Sequence, residues 1–313
     1  MPDLVLPRIA SGNLRSDLDL TNEEAAELLT LTSQVKKTPR DYRQALQHLT
    51  LGLLFEKPSL RTRFTFEVAI RQLGGDAVVQ VGRISEREPV KDVARNVERW
   101  CDAIVARTFY QETVEELARY SRKPVINALS DRYHPCQALA DVFTMQERFG
   151  SLKGQRLAFV GDDFNVAHSL LITCARLGAD IHVATPRGYE PKVEIVRAAE
   201  SLAAQTGATV AVHHDASLAV SGAHAVYTDV WFSMGEEVNY EQRLRDFTPY
   251  RVTEELFAQA RPDAIFLHCL PAKRNEETTD AMMEHPRSAV FDQAENRLHV
   301  QKALLLMLMG AAQ

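Results

Sequence analysis

Apolar residues along the chain follow two patterns that alternate from one end to the other. Short apolar runs of strand length, such as residues 49–55, end at breaking turns like the one at Pro58. A segment then follows in which apolar residues recur every three or four positions, such as Phe66, Ile70 and Leu73, which is the spacing of one helix face. Strands that alternate with helices form parallel sheets covered on both faces. The pattern therefore predicts an α/β fold.

The first half of the chain is predicted to form one sheet with its helices. A capping box of Thr21 and Glu24 opens the first helix. The predicted strands are residues 49–55, 77–81, 103–106 and 124–127. The predicted helices are residues 21–35, a segment from Ser59 to the glycine pair at Gly74, residues 90–100 and residues 114–120.

The pattern restarts after Gly150 and predicts a second sheet. Its strands are residues 156–160, 181–184, 209–213, 225–228 and 264–268, and its helices are residues 167–177, ending at Gly178, and 193–205. Residues 141–149 are predicted to form a bridging helix, and residues 295–309 the last helix. We therefore predict two doubly wound parallel-sheet domains joined by a bridging helix, with the C-terminal helix packing back on the first domain. The expected boundaries are 1–140, 141–290 and 291–313.

The composition narrows the classes of function. A length of 313 residues suits two domains, and 45% apolar with 25% charged residues is ordinary for a globular protein. The net charge of −6 gives no basic excess that would favour nucleic acid. Residues 1–14 lack the apolar core of a signal peptide, and the apolar run 303–309 is too short to span a bilayer. The four cysteines form no CxxC pair, so we expect reduced thiols in a cytoplasmic protein, without a metal site.

Ligands of open α/β sheets collect at the carboxyl ends of the strands, and the first such turn holds a candidate anion site. Ser59, Arg61 and Thr62 stand at the predicted start of a helix, where free N–H groups, hydroxyls and a guanidinium can bind phosphate. The alternative is a helix cap followed by solvated arginines. No P-loop or dinucleotide-binding glycine pattern is present in the sequence.

Other strand ends carry polar groups with two interpretations each. Arg107 follows a buried-looking strand and can bind an anion or a carboxylate. His134 and Gln137, in the segment His-Pro-Cys-Gln, can bind a carbonyl oxygen and an amide, or simply form a turn.

The second half offers an amide, a carboxylate, a hydroxyl and a thiol at neighbouring strand ends. Asn165, Asp229 and Ser233 together suit a zwitterionic amino acid, although each alone is typical of turns and caps. Cys269 ends a strand and is expected beside Asp229, where a thiol would touch a reacting amine; the alternative is an inert cysteine.

Taken together, these segments resemble the aspartate/ornithine carbamoyltransferase family. The resemblance is carried by five motifs in the family's order, from residue 49 to about residue 305. They are Phe-Glu-Lys-Pro-Ser-Leu-Arg-Thr-Arg at 55–63, His-Pro-Cys-Gln at 134–137, Asp-Val-Trp-Phe-Ser-Met-Gly at 229–235, His-Cys-Leu-Pro at 268–271 and Ala-Glu-Asn-Arg at 294–297.

The resemblance implies transfer of the carbamoyl group of carbamoyl phosphate to the δ-amine of ornithine, giving citrulline and phosphate in arginine metabolism, without a cofactor. The implied carbamoyl phosphate contacts are Ser59, Leu60, Arg61, Thr62, Arg83, Arg107, His134, Gln137, Cys269, Leu270 and Arg297. The implied ornithine contacts are Asn165, Asp229, Ser233 and Met234. Arg107, His134, Asp229 and Cys269 would be catalytic. The base that deprotonates the amine stays open between Asp229, Cys269 and the phosphate itself.

The Ser-Met-Gly segment implies ornithine rather than aspartate as the acceptor, and two positions depart from the family pattern. Asp163 and Phe164 replace a glycine and an asparagine in Gly-Asp-Gly-Asn-Asn. Arg83 stands where the family has glutamine or histidine, a residue supplied to the next subunit of a homotrimer or a multiple of trimers. The alternatives are a carbamoyltransferase for another amine, such as an N-acylated ornithine or putrescine, and a non-catalytic amino-acid or phosphate-binding protein.

Overall fold

The computed structural model of the chain describes residues 6–232 and 239–310. The chain divides into two compact units, one of Met1–Leu139 with Asn296–Gln313 and the other of Ala140–Glu295. The long helices α5 (Pro135–Phe149) and α12 (Val290–Met309) each contribute residues to both units. The first unit therefore contains the C-terminal part of α12, as the prediction of a returning helix requires.

The first unit is built on a four-stranded parallel sheet in the order β2-β1-β3-β4. Its strands are β1 (Thr50–Phe55), β2 (Asp76–Val81), β3 (Ala103–Arg107) and β4 (Val125–Leu129). Its helices are α1 (Asn22–Lys37), α2 (Leu60–Gln72), α3 (Val90–Trp100), α4 (Gln111–Tyr120) and the start of α5 (Pro135–Phe149), with 3-10 turns at Asp17–Asp19 and Pro39–Tyr42. The two central strands are buried, whereas edge strand β2 is mostly exposed.

The second unit holds a five-stranded parallel sheet in the order β7-β6-β5-β8-β9. Its strands are β5 (Arg156–Val160), β6 (Asp180–Ala184), β7 (Val210–His213), β8 (Ala225–Thr228) and β9 (Ile265–His268). Its helices are α6 (Asn165–Leu177), α7 (Val193–Thr206), α8 (Ala216–Val220), α9 (Tyr240–Phe247), α10 (Glu254–Phe257), α11 (Asp280–Met283) and α12 (Val290–Met309), with a 3-10 turn at Thr248–Tyr250.

The predicted α/β class and the parallel sheets are confirmed, and so are two helix ends. Thr21 and Glu24 form both hydrogen bonds of the capping box, and Gly178 ends α6 in the left-handed conformation, with φ of 79°. That conformation favours glycine because a Cβ atom would be strained there. No helix among the described residues is long and apolar enough to cross a bilayer.

Several predicted helix starts are wrong by three to six residues. Helix α5 begins at Pro135 instead of 141, α12 at Val290 instead of 295, and α4 at Gln111 instead of 114. Asn165, predicted to lie in a turn, is the first residue of α6. The first residues of α4, Gln-Glu-Thr at 111–113, are polar, so its apolar period becomes visible only at Val114. Helices α8 to α11 were missed because they span eight residues or fewer.

Each sheet has one point at which the strand order reverses. In the first unit β1 lies between β2 and β3, so the reversal falls between β1 and β3. In the second unit it falls between β5 and β8. The carboxyl ends of these strand pairs form the crevices in which open α/β sheets bind ligands, and they are the places to search for a site.

Candidate functional site

A group of arginines surrounds one buried histidine at the reversal point of the first sheet. This arginine cluster consists of Arg61, Arg107 and Arg297 together with Thr62, His134 and Gln137. Arg107 is the last residue of β3 and pairs in register with Phe55 at the end of β1. Ser59 precedes α2 but its side chain does not cap the helix, and the side chain of Leu60 is 67% exposed. The arginine cluster brings together most of the residues that the sequence associates with carbamoyl phosphate.

Arg297 links two of the sequence motifs within this cluster. Its Nη1 donates a hydrogen bond to Gln137 Oε1 at 2.9 Å, and its Nη2 donates to Thr62 Oγ1 at 2.6 Å. All three residues are buried. A guanidinium has five N–H donors in a fixed plane, and two of those of Arg297 hold these two neighbours in place. Arg297 of helix α12 thus bridges Thr62 and Gln137, which are far apart in the sequence.

His134 is an uncharged donor or acceptor within a strongly positive environment. Burial lowers the pKa of its imidazole well below 6.5, and the charges of Arg297, Arg107 and Arg61 lower it further. The imidazole is therefore neutral near pH 7 and can donate one hydrogen bond from a ring nitrogen. Cys136 in the same motif has its pKa raised to about 12, mainly by burial, and is a neutral buried thiol.

Arg83 lies apart from these contacts, in the loop that follows edge strand β2. Its side chain is exposed, and its guanidinium carbon is 4.9 Å from the ring centre of Phe109. Lys57 approaches the same ring at 5.0 Å. The structure therefore associates Arg83 with the loop after β3.

A carboxylate and a thiol meet at the carboxyl ends of β8 and β9, beside the reversal point of the second sheet, as the sequence predicted. This Asp229 cluster consists of Asp229, Cys269 and Asn165. Cys269 Sγ donates a hydrogen bond to Asp229 Oδ1 at 2.8 Å, and that oxygen also accepts one from the Val230 N–H at 2.7 Å. Asp229 follows β8, Cys269 follows β9, and Asn165 begins the helix after β5. The amide, the carboxylate and the thiol are thus carried by three neighbouring strands of one sheet.

Burial controls the protonation of the Asp229 cluster. It raises the pKa of the Cys269 thiol well above its ordinary value, and the neighbouring charge of Asp229 raises it further. Burial also raises the pKa of Asp229, while the hydrogen bonds from Cys269 and from the Val230 N–H lower it. The thiol is therefore a neutral donor and the carboxylate its acceptor.

The turn that carries Cys269 is held by a buried pair that the sequence did not reveal. His268 Nε2 lies 3.0 Å from Glu277 Oε1, and His268 Nδ1 accepts a hydrogen bond from the Leu270 N–H at 2.9 Å. Since Nδ1 is an acceptor, the proton of the neutral imidazole is on Nε2 and points at Glu277. Leu270 has a φ of 59° and precedes a cis proline, Pro271.

Asp229, His268 and Cys269 each have one potential metal-ligand atom within 4.8 Å of the others. Both ring nitrogens of His268 already take part in hydrogen bonds, and the thiol of Cys269 is protonated. A metal would need a thiolate and a free imidazole nitrogen. The donor set therefore fits hydrogen bonding to a substrate better than metal binding.

The departure at Asp163 and Phe164 has a structural consequence next to Asn165. Arg243 pairs with the carboxylate of Asp162, and its guanidinium carbon is 5.0 Å from the ring centre of Phe164. Asp163 pairs with His168 in the first turns of α6. The turn before Asn165 is thus packed and ion-paired. Ser233 and Met234 lie outside the described residues.

Comparisons with known proteins agree with this two-part arrangement. The family model of the aspartate/ornithine carbamoyltransferase carbamoyl-P binding domain matches residues 13–147, and the model of the Asp/Orn binding domain matches residues 153–308. An ornithine carbamoyltransferase of Thermus thermophilus is 51% identical over 93% of this chain and 96% of its own length. One of Parafrankia is 50% identical over 94% of each chain.

The chain is also similar to a solved structure. The ornithine carbamoyltransferase of Pyrococcus furiosus shares 44% identity and a TM-score of 0.94, and the match covers 99% of this chain and 100% of that one. The level of identity and the coverage of both domain models leave one conclusion: the chain belongs to the aspartate/ornithine carbamoyltransferase family.

Proposed function

We propose that the protein transfers the carbamoyl group of carbamoyl phosphate to the δ-amine of L-ornithine, giving L-citrulline and phosphate. The observation that carries the proposal is the arginine cluster, in which Arg61, Arg107 and Arg297 all act on the neutral imidazole of His134. The three arginine cations suit the negative phosphate of carbamoyl phosphate, and the uncharged imidazole suits a hydrogen bond to its neutral carbamoyl group. The relatives named above as ornithine carbamoyltransferases support ornithine as the acceptor.

In this proposal the first unit binds carbamoyl phosphate. Ser59, Arg61 and Thr62 hold the phosphate at the start of α2, where the helix dipole also favours an anion. His134, Gln137 and Arg107 bind the carbamoyl end, and Arg297 adds charge. These groups stabilise the oxyanion that forms as the amine attacks, which is the main electrostatic task of such a site. No metal or organic cofactor is required, because carbamoyl phosphate is already activated.

The second unit binds the amino acid. Asp229 accepts the α-ammonium group and Asn165 donates to the α-carboxylate, with Ser233 and Met234 as further contacts. Cys269 and Leu270 lie by the reacting amine. The attacking amine must be neutral, although its reference pKa is about 10.4. Activity therefore rises with pH through the neutral range.

We further propose a homotrimer, or a multiple of trimers, located in the cytoplasm and acting in arginine metabolism. Exposed apolar side chains on the first unit support an interface: Val78 and Val81 of β2 and Trp100 of α3 are between 62% and 70% exposed. Sedimentation equilibrium tests the assembly. Trp100→Glu should lower the mass toward that of one chain, 35.1 kDa, and a wild-type chain that sediments as a monomer would refute the trimer.

The function is tested by a citrulline assay. Carbamoyl phosphate is supplied with ornithine, N-acetylornithine, putrescine, lysine and aspartate in parallel reactions. We expect turnover with ornithine, and a rate with each other amine lower by a factor of about a hundred or more, because one extra methylene discriminates by about 10- to 200-fold and an unpaired polar group discriminates more strongly. Faster turnover with another amine would identify that amine as the acceptor. Folded protein that shows no turnover with any acceptor would support the alternative of a non-catalytic binding protein.

A further inference from the structure

Residues 268–273 form the turn after β9, which we call the Cys269 turn, and the side chain of His268 holds its backbone. The Leu270 N–H donates to His268 Nδ1 at 2.9 Å, and the N–H of His268 itself donates to Gln293 Oε1 at 2.9 Å. Leu270 has a φ of 59°, in the left-handed region that residues with a Cβ atom rarely adopt. Such a conformation persists only where the surrounding structure holds it, and the hydrogen bond to Nδ1 is such a restraint.

His268 can hold Leu270 in only one of its two neutral forms. Nδ1 accepts the Leu270 N–H only while it carries no proton, so the ring proton must be on Nε2. Nε2 lies 3.0 Å from Glu277 Oε1, and both side chains are completely buried. The carboxylate accepts a hydrogen bond from a protonated Nε2, whereas in the other form an unprotonated nitrogen would face it. Glu277 thus selects the form of His268 that holds the turn.

Glu277 is anchored outside the Cys269 turn and contacts the turn through one oxygen. Its backbone carbonyl accepts the Val252 N–H at 2.9 Å, and Val252 belongs to the buried core of the second unit. Besides His268, its Oε1 binds the Lys273 N–H at 2.6 Å, at the far end of the turn. Its Oε2 is buried and has no hydrogen-bond partner within the described part of the chain. Oε1 therefore makes both side-chain contacts with the turn.

We propose that Glu277 is a positioning residue for the attacking amine: by fixing the proton of His268 on Nε2, it holds the Cys269 turn in place. The inference rests on the proposed function for the identity of the acceptor. Cys269 Sγ donates to Asp229 Oδ1 at 2.8 Å, so displacement of the turn also loosens the carboxylate that accepts the α-ammonium group. Loss of positioning therefore weakens the use of ornithine and leaves the arginine cluster of the first unit unaltered.

Two substitutions separate positioning from the effect of charge. Glu277→Gln removes the charge but keeps an oxygen with two lone pairs, which can accept both hydrogen bonds, and its NH2 group takes the place of the unpartnered Oε2. Glu277→Met removes the charge and the acceptor together at similar side-chain length. If the charge of Glu277 supports the reaction, the two variants are impaired equally. If positioning does, Glu277→Gln resembles wild type and Glu277→Met does not.

The experiment measures steady-state kinetics with both substrates and the binding of inorganic phosphate by calorimetry. Glu276→Gln and Glu276→Met are the controls, because Glu276 is the adjacent, partly exposed glutamate and pairs with Lys273. We expect Glu277→Met to lower kcat/KM for ornithine about 30-fold, equivalent to about 2 kcal/mol, and to raise the KM for ornithine at least about fivefold. Glu277→Gln and both controls should keep kinetic constants within about threefold of wild type, and every variant should bind phosphate within about twofold.

Equal losses in Glu277→Gln and Glu277→Met overturn the proposal, since the charge alone then accounts for them, and so does an equal loss in Glu276→Met. An unaltered KM for ornithine in folded Glu277→Met also overturns it, because a merely structural role lowers only the fraction of active enzyme.

Neutron diffraction from crystals of the wild-type protein tests the proposal even where no variant folds, since it locates the ring proton of His268. The proton should lie on Nε2, and a proton on Nδ1 refutes the selection by Glu277. Neither this measurement nor phosphate binding needs an acceptor, so failure of ornithine turnover in the wild type is distinguishable from failure of this inference.

Discussion

Arg61 and Arg63 stand two residues apart on α2 and offer a matched test of the arginine cluster. The charge of Arg61 acts on His134, whereas Arg63 Nε donates to Glu67 Oε1 at 2.7 Å with 47% of its side chain exposed. We compare Arg61→Met with Arg63→Met. Both variants remove one guanidinium and keep a side chain of similar length, so overall charge changes equally.

The expected loss of carbamoyl phosphate binding differs between the two variants because the surroundings of Arg61 and Arg63 differ. A unit charge pair at 4 Å near a protein surface interacts with about 4 kcal/mol before desolvation, and a hydrogen bond to a charged group nets about 1.5–3 kcal/mol. Arg61→Met should therefore weaken carbamoyl phosphate binding between about tenfold and about 150-fold. The Arg63 pair is exposed and contributes at most about 1 kcal/mol to stability, and its loss should leave substrate binding within about twofold.

The assay measures the KM for carbamoyl phosphate and the inhibition constant of inorganic phosphate at fixed ornithine. Both constants should increase together in Arg61→Met, because phosphate shares the proposed contact. The KM for ornithine should change little in either variant. Equal effects of the two substitutions would show that Arg61 acts only through overall charge and would refute the reasoning. An unchanged phosphate constant in Arg61→Met would do the same.

Three further outcomes follow from the protonation states. The pKa of the Cys269 thiol is raised by burial, so its alkylation by iodoacetamide at pH 7.5, followed by peptide mass spectrometry, should be at least about tenfold slower than that of an exposed cysteine. Equal rates would show that this thiol is neither shielded nor raised in pKa. The pKa of His134 is lowered by burial and arginine charges, so its ring NMR signals should stay those of neutral imidazole from pH 8 to pH 6, and a transition centred near 6.5 would contradict the structure. The pKa of Asp229 is raised by burial, so its charge is lost earlier as pH falls, and the KM for ornithine should rise on the acid side. Asp229→Asn should remove that rise, and an unaltered pH profile would exclude Asp229 from ornithine binding.

Much of the fold and part of the candidate site follow from the sequence, because both depend on local patterns. Buried parallel strands are continuous apolar runs, so β1, β3, β5, β8 and β9 were each predicted within one or two residues of their observed bounds. The polar residues of the candidate site follow directly after those apolar runs, at the carboxyl ends of the strands. The expected approach of Cys269 to Asp229 follows from the same rule, since parallel strands bring their carboxyl ends to one edge, and the observed distance is 2.8 Å.

Residues that act through long-range contacts were not predicted. Glu56 binds Phe109, 53 positions away, and nothing in the local sequence distinguishes its carboxylate from that of a solvated glutamate. Arg243 is similar: its helix begins after residues 233–238, and its partner Asp162 lies in another loop. Glu277 was missed because its partner His268 looks like an ordinary strand residue. Such positioning groups are defined by the fold, which a single sequence does not contain.

The protonation states also bear on which group removes the proton from the attacking amine. Cys269 already carries its proton because burial and Asp229 raise the pKa of its thiol, so it cannot accept another. His134 is neutral, but its lowered pKa makes it a poor base. Asp229 is the acceptor of the Cys269 hydrogen bond and has a raised pKa. The departing phosphate, whose monoester analogues have a second pKa of about 6, is the other group with basic capacity. Of the candidates left open by the sequence, Asp229 and the phosphate therefore remain, and Cys269 serves as a donor that holds the Asp229 carboxylate in place.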